Sequence, residues 1–212
     1  MEFFLFFIEV IGTIAFAVSG AMTAIRKNMD AFGVAVLGLT TAVGGGMVRD
    51  LILGSTPPAM FQTPVYAMIA VGTTIVVFVF AALGKLNEEH KHFDQLMFWM
   101  DTLGLGVFSV LGVEKAIIMD TGCGLFLMVF VGVLTGVGGG LLRDIFAGNT
   151  PYIFVKHVYA SASIAGALVC ALLYDVAGER VAVIIGAVVV VVIRCLAAHY
   201  RWSLPKVNRP VK

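Results

Sequence analysis

Seven long apolar segments follow one another along the chain, separated by short polar or proline-containing stretches. An α-helix needs about 20 apolar residues to cross a bilayer, and only helices and closed barrels satisfy all their backbone hydrogen bonds there. The segments have close to that length, so the pattern predicts an all-α membrane protein with seven transmembrane helices. The predicted spans are residues 3–25, 32–53, 65–83, 97–119, 125–146, 152–174 and 181–198.

The second and fifth spans carry the same motif. Gly-Gly-Gly-x-x-Arg-Asp occupies residues 44–50 and again 138–144, 94 positions later, and each copy leads into a further glycine and Thr-Pro. Because three spans end on the side opposite to where they began, two copies of a three-span unit have inverted orientations. The predicted parts are the two repeats (1–84 and 97–174), a polar cytoplasmic linker (85–96), the seventh helix (175–200) and a basic cytoplasmic tail (201–212).

Composition supports a membrane protein and argues against several other classes. Hydrophobic residues make up 60% of the chain and charged residues 13%, against about 25% charged in soluble domains. A net charge of +1 without a basic tract does not fit a nucleic-acid-binding protein. No nucleophile elbow, zinc-protease helix or phosphate loop occurs in the sequence, and its three cysteines are isolated. Neither an enzyme nor a cofactor or resident metal is expected.

Lysine and arginine in the loops predict the orientation. With the C-terminus in the cytoplasm, most loop cations lie on the cytoplasmic side, as the positive-inside rule requires. The N-terminus is therefore expected outside. The cytoplasmic set is Arg26, Lys27, Lys85, Lys91, Lys156, Arg201, Lys206, Arg209 and Lys212, and the outer set is Arg180 with Arg49 and Lys115 at helix margins.

The triple glycines allow two interpretations. Each glycine costs a helix interior about 1 kcal/mol relative to alanine. The run either bends or breaks the helix, freeing carbonyls along a polar path, or lets a neighbouring helix approach closely. The duplication in an inverted repeat favours broken or kinked helices 2 and 5, since such helices mark transport sites. Each half-helix that follows a triple glycine is expected to be capped at its C-terminal end, by Gly54 in the first copy and by Gly148 in the second.

The motif charges are expected near opposite ends of a polar path. Arg49 and Asp50 lie toward the outside and Arg143 and Asp144 toward the inside. Because neighbouring residues on a helix point in different directions, close pairing within one copy is not expected. One of the two would face the path while the other anchors a helix or a headgroup, with snorkelling of the arginine to the interface as the alternative.

Two further carboxylates occupy matched positions in the first and fourth spans. Glu9 and Asp101 are predicted to pair with Arg49 or Arg143, or to attract a permeating cation. Stabilisation of a helix N-terminus is a second explanation for Asp101. Glu114 and Lys115 are interpreted as a local pair.

The whole pattern resembles the prokaryotic branch of the trimeric intracellular cation (TRIC) channel family, members of which are also labelled glycine transporters. The resemblance covers both three-span halves, the seventh span and both motifs. It implies a homotrimer in the prokaryotic plasma membrane, with a pore in each protomer that conducts monovalent cations such as K⁺ or Na⁺. The pore hinges would be Gly44, Gly45, Gly46, Gly138, Gly139 and Gly140.

The same resemblance assigns the motif charges to the pore mouths or to hinge stabilisation. Hydroxyls such as those of Ser19, Ser109 and Thr135 are expected to line the path together with the freed carbonyls. Animal relatives bind phosphoinositide at a Lys-Glu-Val sequence, where this chain has Arg143-Asp144-Ile145, so only a general anionic lipid is expected near Arg143. The alternative function is a secondary transporter of a small zwitterion such as glycine.

Overall fold

The computed structural model describes residues 2–86, 91–119, 122, 124–155 and 158–202. Within these ranges the only regular elements are α-helices, and seven of them are long and apolar enough to cross a membrane. The all-α, seven-span prediction is confirmed. The helices are α1 (Glu2–Arg26), α2 (Ala31–Ile52), α3 (Ala59–Gln62), α4 (Val65–Ala82), α5 (Lys91–Ile118), α6 (Gly124–Phe146), α7 (Tyr152–Val155), α8 (Tyr159–Ala177) and α9 (Glu179–His199).

Two boundaries differ from the sequence prediction. Helix α5 begins at Lys91, six residues before residue 97, inside the predicted linker. Its polar first turns are held by buried Phe93 and by an ion pair from Asp94 to Arg26 of α1. The predicted sixth span begins with the separate short helix α7, and Val158 before α8 has a left-handed backbone conformation (φ 64°). The predicted tail lies almost wholly outside the described residues.

The helices pack as two equivalent groups. Helices α1, α2 and α4 contact one another, as do α5, α6 and α8, and the groups meet along the α2–α6 and α1–α5 contacts. Helix α9 packs on α8 and α5. The short helices α3 and α7 follow the two motifs at corresponding places. This is the predicted arrangement of two three-span units with an added seventh span.

Helices α2 and α6 run continuously through their glycines, so the predicted helices 2 and 5 are not broken there, and a kink at the glycines stays a prediction. A methyl group added to Gly45 would lie 2.2 Å from the carbonyl oxygen of Thr135, and one on Gly139 would lie 2.2 Å from that of Thr41. These two contacts are related by the 94-residue repeat. The middle glycine of each copy therefore lets α2 and α6 cross at backbone contact, which was the other interpretation of the run.

Candidate functional site

Both copies of the motif end their helices in the same way. Gly54 and Gly148 have positive φ values of 72° and 66°. Ser55 N–H donates to the Asp50 carbonyl and Asn149 N–H to the Asp144 carbonyl, each at 2.8 Å. These bonds belong to the Schellman motif, which satisfies the last carbonyls of a helix. The predicted glycine caps are confirmed.

The aspartate of each motif ties the chain beyond the cap back to the helix. Asp50 Oδ2 accepts a hydrogen bond from the backbone N–H of Ala59, the first residue of α3, at 2.8 Å. Asp144 Oδ2 accepts one from Tyr152, the first residue of α7, at 2.9 Å. A carboxylate at a helix N-terminus satisfies a free N–H group. Each aspartate thus fixes the Thr-Pro loop at one end of the molecule.

The expectation that Arg and Asp of one copy do not pair is wrong. Arg49 Nε lies 2.8 Å from Asp50 Oδ1, and Arg143 Nε lies 2.9 Å from Asp144 Oδ1. The Cβ atoms of adjacent helix residues point in different directions, but the arginine side chain is long enough for its Nε to reach the neighbouring carboxylate. Arg143 is fully buried and Arg49 only 6% exposed. Neither arginine snorkels to a surface.

At the end of the molecule that holds Arg143, here called the second end, the charges form one buried network. Arg143 Nη1 donates to Asp101 Oδ1 at 2.6 Å and to the Ser19 hydroxyl at 2.5 Å. The Tyr159 hydroxyl approaches the same Asp101 oxygen at 3.4 Å. The structure thus contains the predicted pairing of Asp101 with Arg143. It also shows that Ser19 is held by the arginine.

Sequence reasoning missed Arg194 of α9. Its Nη2 lies 3.5 Å from Asp101 Oδ2, and its guanidinium stacks over the rings of Phe98 and Tyr159 at 5.1 and 4.8 Å. An arginine inside the otherwise apolar seventh span was the available signal, because charges within spans are costly and face partners or cavities. A cavity beside Arg194 opens between Arg26, Asp94 and Tyr152.

At the first end, which holds Arg49, the charges lie around open space. Glu9, Arg49 and Tyr66 line two adjoining cavities, and the Tyr66 side chain interacts with the Glu9 carboxylate. In contrast to Asp101, Glu9 forms no ion pair with an arginine within the described residues. Glu114, 7% exposed, also lines this space and has no hydrogen bond or ion pair in the described part, so it does not pair with Lys115.

Two aromatic rings lie between the ends. Phe16 and Phe108, equivalent positions in the repeat, stack with ring centroids 5.3 Å apart. Phe16 lies against Gly104 and Gly139. Phe108 and Gly46 line one of the two first-end cavities, the one that also holds Asp50. The stacked pair therefore fills the centre of the protein next to the glycine crossing.

The predicted pore hydroxyls are buried in helix contacts. Ser109 donates to the Leu105 carbonyl and bonds the Ser163 hydroxyl, and Thr135 donates to the Val131 carbonyl. Their roles in lining a path stay predictions, as do the hinge roles of the glycines. The described residues contain no group of three or more side chains able to hold a metal ion.

Together, the fold and the paired motifs define a polytopic membrane protein built as an inverted repeat, with charged clusters at both ends of a glycine helix crossing. The sequence model of the family described as Glycine transporter matches residues 6–82 and 98–175, which are the two repeats. The chain belongs to this family, and solved prokaryotic TRIC channels share its fold.

Full-length relatives and solved structures agree with this assignment. The inner membrane protein YadS of Escherichia coli K12 is 36% identical over 94% of both chains, and YvgT of Bacillus subtilis is 35% identical over 93% of this chain and 94% of its own. A structure described in work on conductance through TRIC cation channels has a TM-score of 0.84 at 34% identity, covering 97% of this chain and 98% of its own. The TRIC orthologue from Rhodobacter sphaeroides has a TM-score of 0.84 at 31% identity, with 93% and 98% covered.

Proposed function

We propose that the protein is a channel for monovalent cations such as K⁺, with one pore inside each protomer of a homotrimer. The observation that carries this proposal is the likeness over nearly the whole chain to TRIC cation channels. The internal geometry supports it, because a cavity at the first end is lined by α2 as far as Gly46, next to the glycine crossing, and a separate cavity lies beside Arg194 at the second end. The loop charges support a first end outside and a second end in the cytoplasm.

The described conformation fits a closed pore. The Phe16–Phe108 stack and the backbone contact at Gly45 and Gly139 fill the centre next to the first-end cavity that Phe108 and Gly46 line. Bending of α2 and α6 at their glycines would part this contact and free backbone carbonyls for the ion. An anionic lipid near Arg143 would have to pass Arg26 and Arg194, because Arg143 itself is fully buried.

Flux into proteoliposomes tests the channel proposal. We expect K⁺ and Na⁺ to pass down their gradients without early saturation, and glycine to produce no flux. A carrier would instead saturate, show counterflow and discriminate the amino acid. Asp144→Asn should weaken the tie to α7 and change the cation flux. Saturable glycine counterflow without cation current would overturn the proposal in favour of the transporter alternative.

Truncating the aromatic stack tests the closed centre. Phe108→Ala should raise K⁺ flux severalfold, because it removes a ring that separates the first-end cavity from the centre. Phe126→Ala is the matched control, since Phe126 is 81% exposed on the outer face of α6. Equal flux in both variants would show that the stack does not restrict the path.

A further inference from the structure

Three carboxylates converge at the first end of the protein. Glu9 and Glu114 line one cavity of about 200 Å³, and Glu114 is repelled by the charges of Glu179 and Glu9 and attracted by those of Arg49 and Lys115. Glu114 is 7% exposed and has no hydrogen bond or ion pair within the described residues. One oxygen of Glu179 is buried and also lacks a hydrogen-bond partner there. A buried carboxylate without compensation is costly, so this arrangement favours a positive ligand.

The neighbouring cations Arg49 and Lys115 attract Glu114 but offset the negative charge of this cluster only in part. Arg49 is engaged by Asp50 at 2.8 Å, and Lys115, which also lines the cavity, forms no ion pair among the described side chains. Among the described residues that line the two first-end cavities, three carboxylates (Glu9, Asp50 and Glu114) accompany two cationic side chains (Arg49 and Lys115). The excess negative charge lies beside the space through which an ion would enter.

The described part of the second end has a different arrangement. Asp101, the repeat partner of Glu9, is occupied by Arg143 and Arg194. When the repeats are aligned so that Gly20 matches Gly112, the position equivalent to Glu114 is Met22. Met22 is a fully buried methionine. The two ends of the repeat thus carry different chemistry, and within the described ranges only the first has carboxylates facing a cavity without a paired cation.

We propose that Glu9 and Glu114 bind the entering monovalent cation in this cavity, beside Arg49 and Tyr66. The inference rests on the proposed channel function. The described carboxylates do not form a three-ligand metal cluster, so the ion keeps part of its water shell and is held electrostatically. The adjoining cavity shares Glu9, Arg49 and Tyr66 and continues to Gly46 and Phe108, which gives the bound ion a route to the centre.

Single-channel conductance in planar bilayers tests the site. In about 0.01 M KCl the Debye length is about 30 Å, and the Glu9→Gln/Glu114→Gln variant should have a conductance at least about twofold lower than the wild type. In about 1 M KCl the Debye length is about 3 Å, and the two proteins should have the same conductance. Asp175→Asn is the matched control, because Asp175 is an exposed carboxylate near the same end that lines neither first-end cavity. Equal conductance of the double variant and wild type at low salt, or an equal loss in the control, would overturn the inference.

Crystals soaked in Rb⁺ provide a second readout that does not depend on conduction. An anomalous peak is expected between Glu9 and Glu114 in the wild type and should be lost in the folded double variant. Cation flux in the wild type, with neither an anomalous peak between Glu9 and Glu114 nor a loss of conductance at low salt in the double variant, would refute this site and leave the channel proposal standing. Absence of cation flux in the wild type would instead refute the channel proposal.

Discussion

Replacing Asp101 by asparagine will destabilise the protein by about 3–5 kcal/mol, the cost of removing one partner from a buried ion pair. Asp101 is 1% exposed and lies 2.6 Å from Arg143 and 3.5 Å from Arg194. Both arginines are buried, so asparagine leaves Arg143 with Asp144 as its remaining ion-pair partner and Arg194 with none among the described residues. The free energy of unfolding of the detergent-solubilised protein, titrated with SDS, measures the loss.

A second aspartate on the same helix provides the control. Asp94 pairs with Arg26 at 2.5 Å, but the two side chains are 70% and 38% exposed. An exposed pair of this kind contributes about 0–1 kcal/mol, so Asp94→Asn should cost at most that amount. Adding Arg194→Met to Asp101→Asn should recover part of the lost stability, because it removes one uncompensated charge. Equal losses in the two single variants would mean that Asp101 is not the essential counter-ion.

The sequence allowed the spans, the repeat and the ion pair between Asp101 and Arg143 to be predicted, because duplication supplies an internal comparison. Matching Glu9 with Asp101 singled out two carboxylates in spans, and a buried carboxylate requires a cation. Only the structure shows that the two differ: Asp101 meets Arg143, whereas Glu9 borders a cavity. The glycine caps were predictable because their chemistry is local and needs no partner from another helix.

The contacts that were missed depend on distance through space. Arg194 belongs to the unduplicated seventh span and approaches Asp101 from 93 positions away in sequence. The Arg49–Asp50 pair depends on the rotamer of a long side chain, which helix periodicity does not determine. The continuity of α2 also could not be derived from glycine propensity, because packing against α6 compensates for the weak helix formers.

Replacing Gly45 by alanine should destabilise the protein, whereas the same change at Gly46 should not. A methyl group on Gly45 would lie 2.2 Å from the backbone oxygen of Thr135, while one on Gly46 would meet nothing closer than the Arg49 side chain at 3.6 Å. Overpacking against backbone costs about 1–3 kcal/mol and offsets the roughly 1 kcal/mol gain in helix propensity. At Gly46 that gain is unopposed. SDS titration should therefore shift in opposite directions for the two variants.

Cation flux in the same pair separates the two interpretations of the triple glycine. Gly46→Ala stiffens α2 without touching α6, so hinge gating requires lower flux from a more stable protein. Gly45→Ala holds the helices apart at the crossing, so it should raise flux while lowering stability. Unchanged flux in Gly46→Ala would show that α2 does not bend there during opening. The glycines would then serve only the close approach of α2 and α6, and the pore would open by separation of two intact helices.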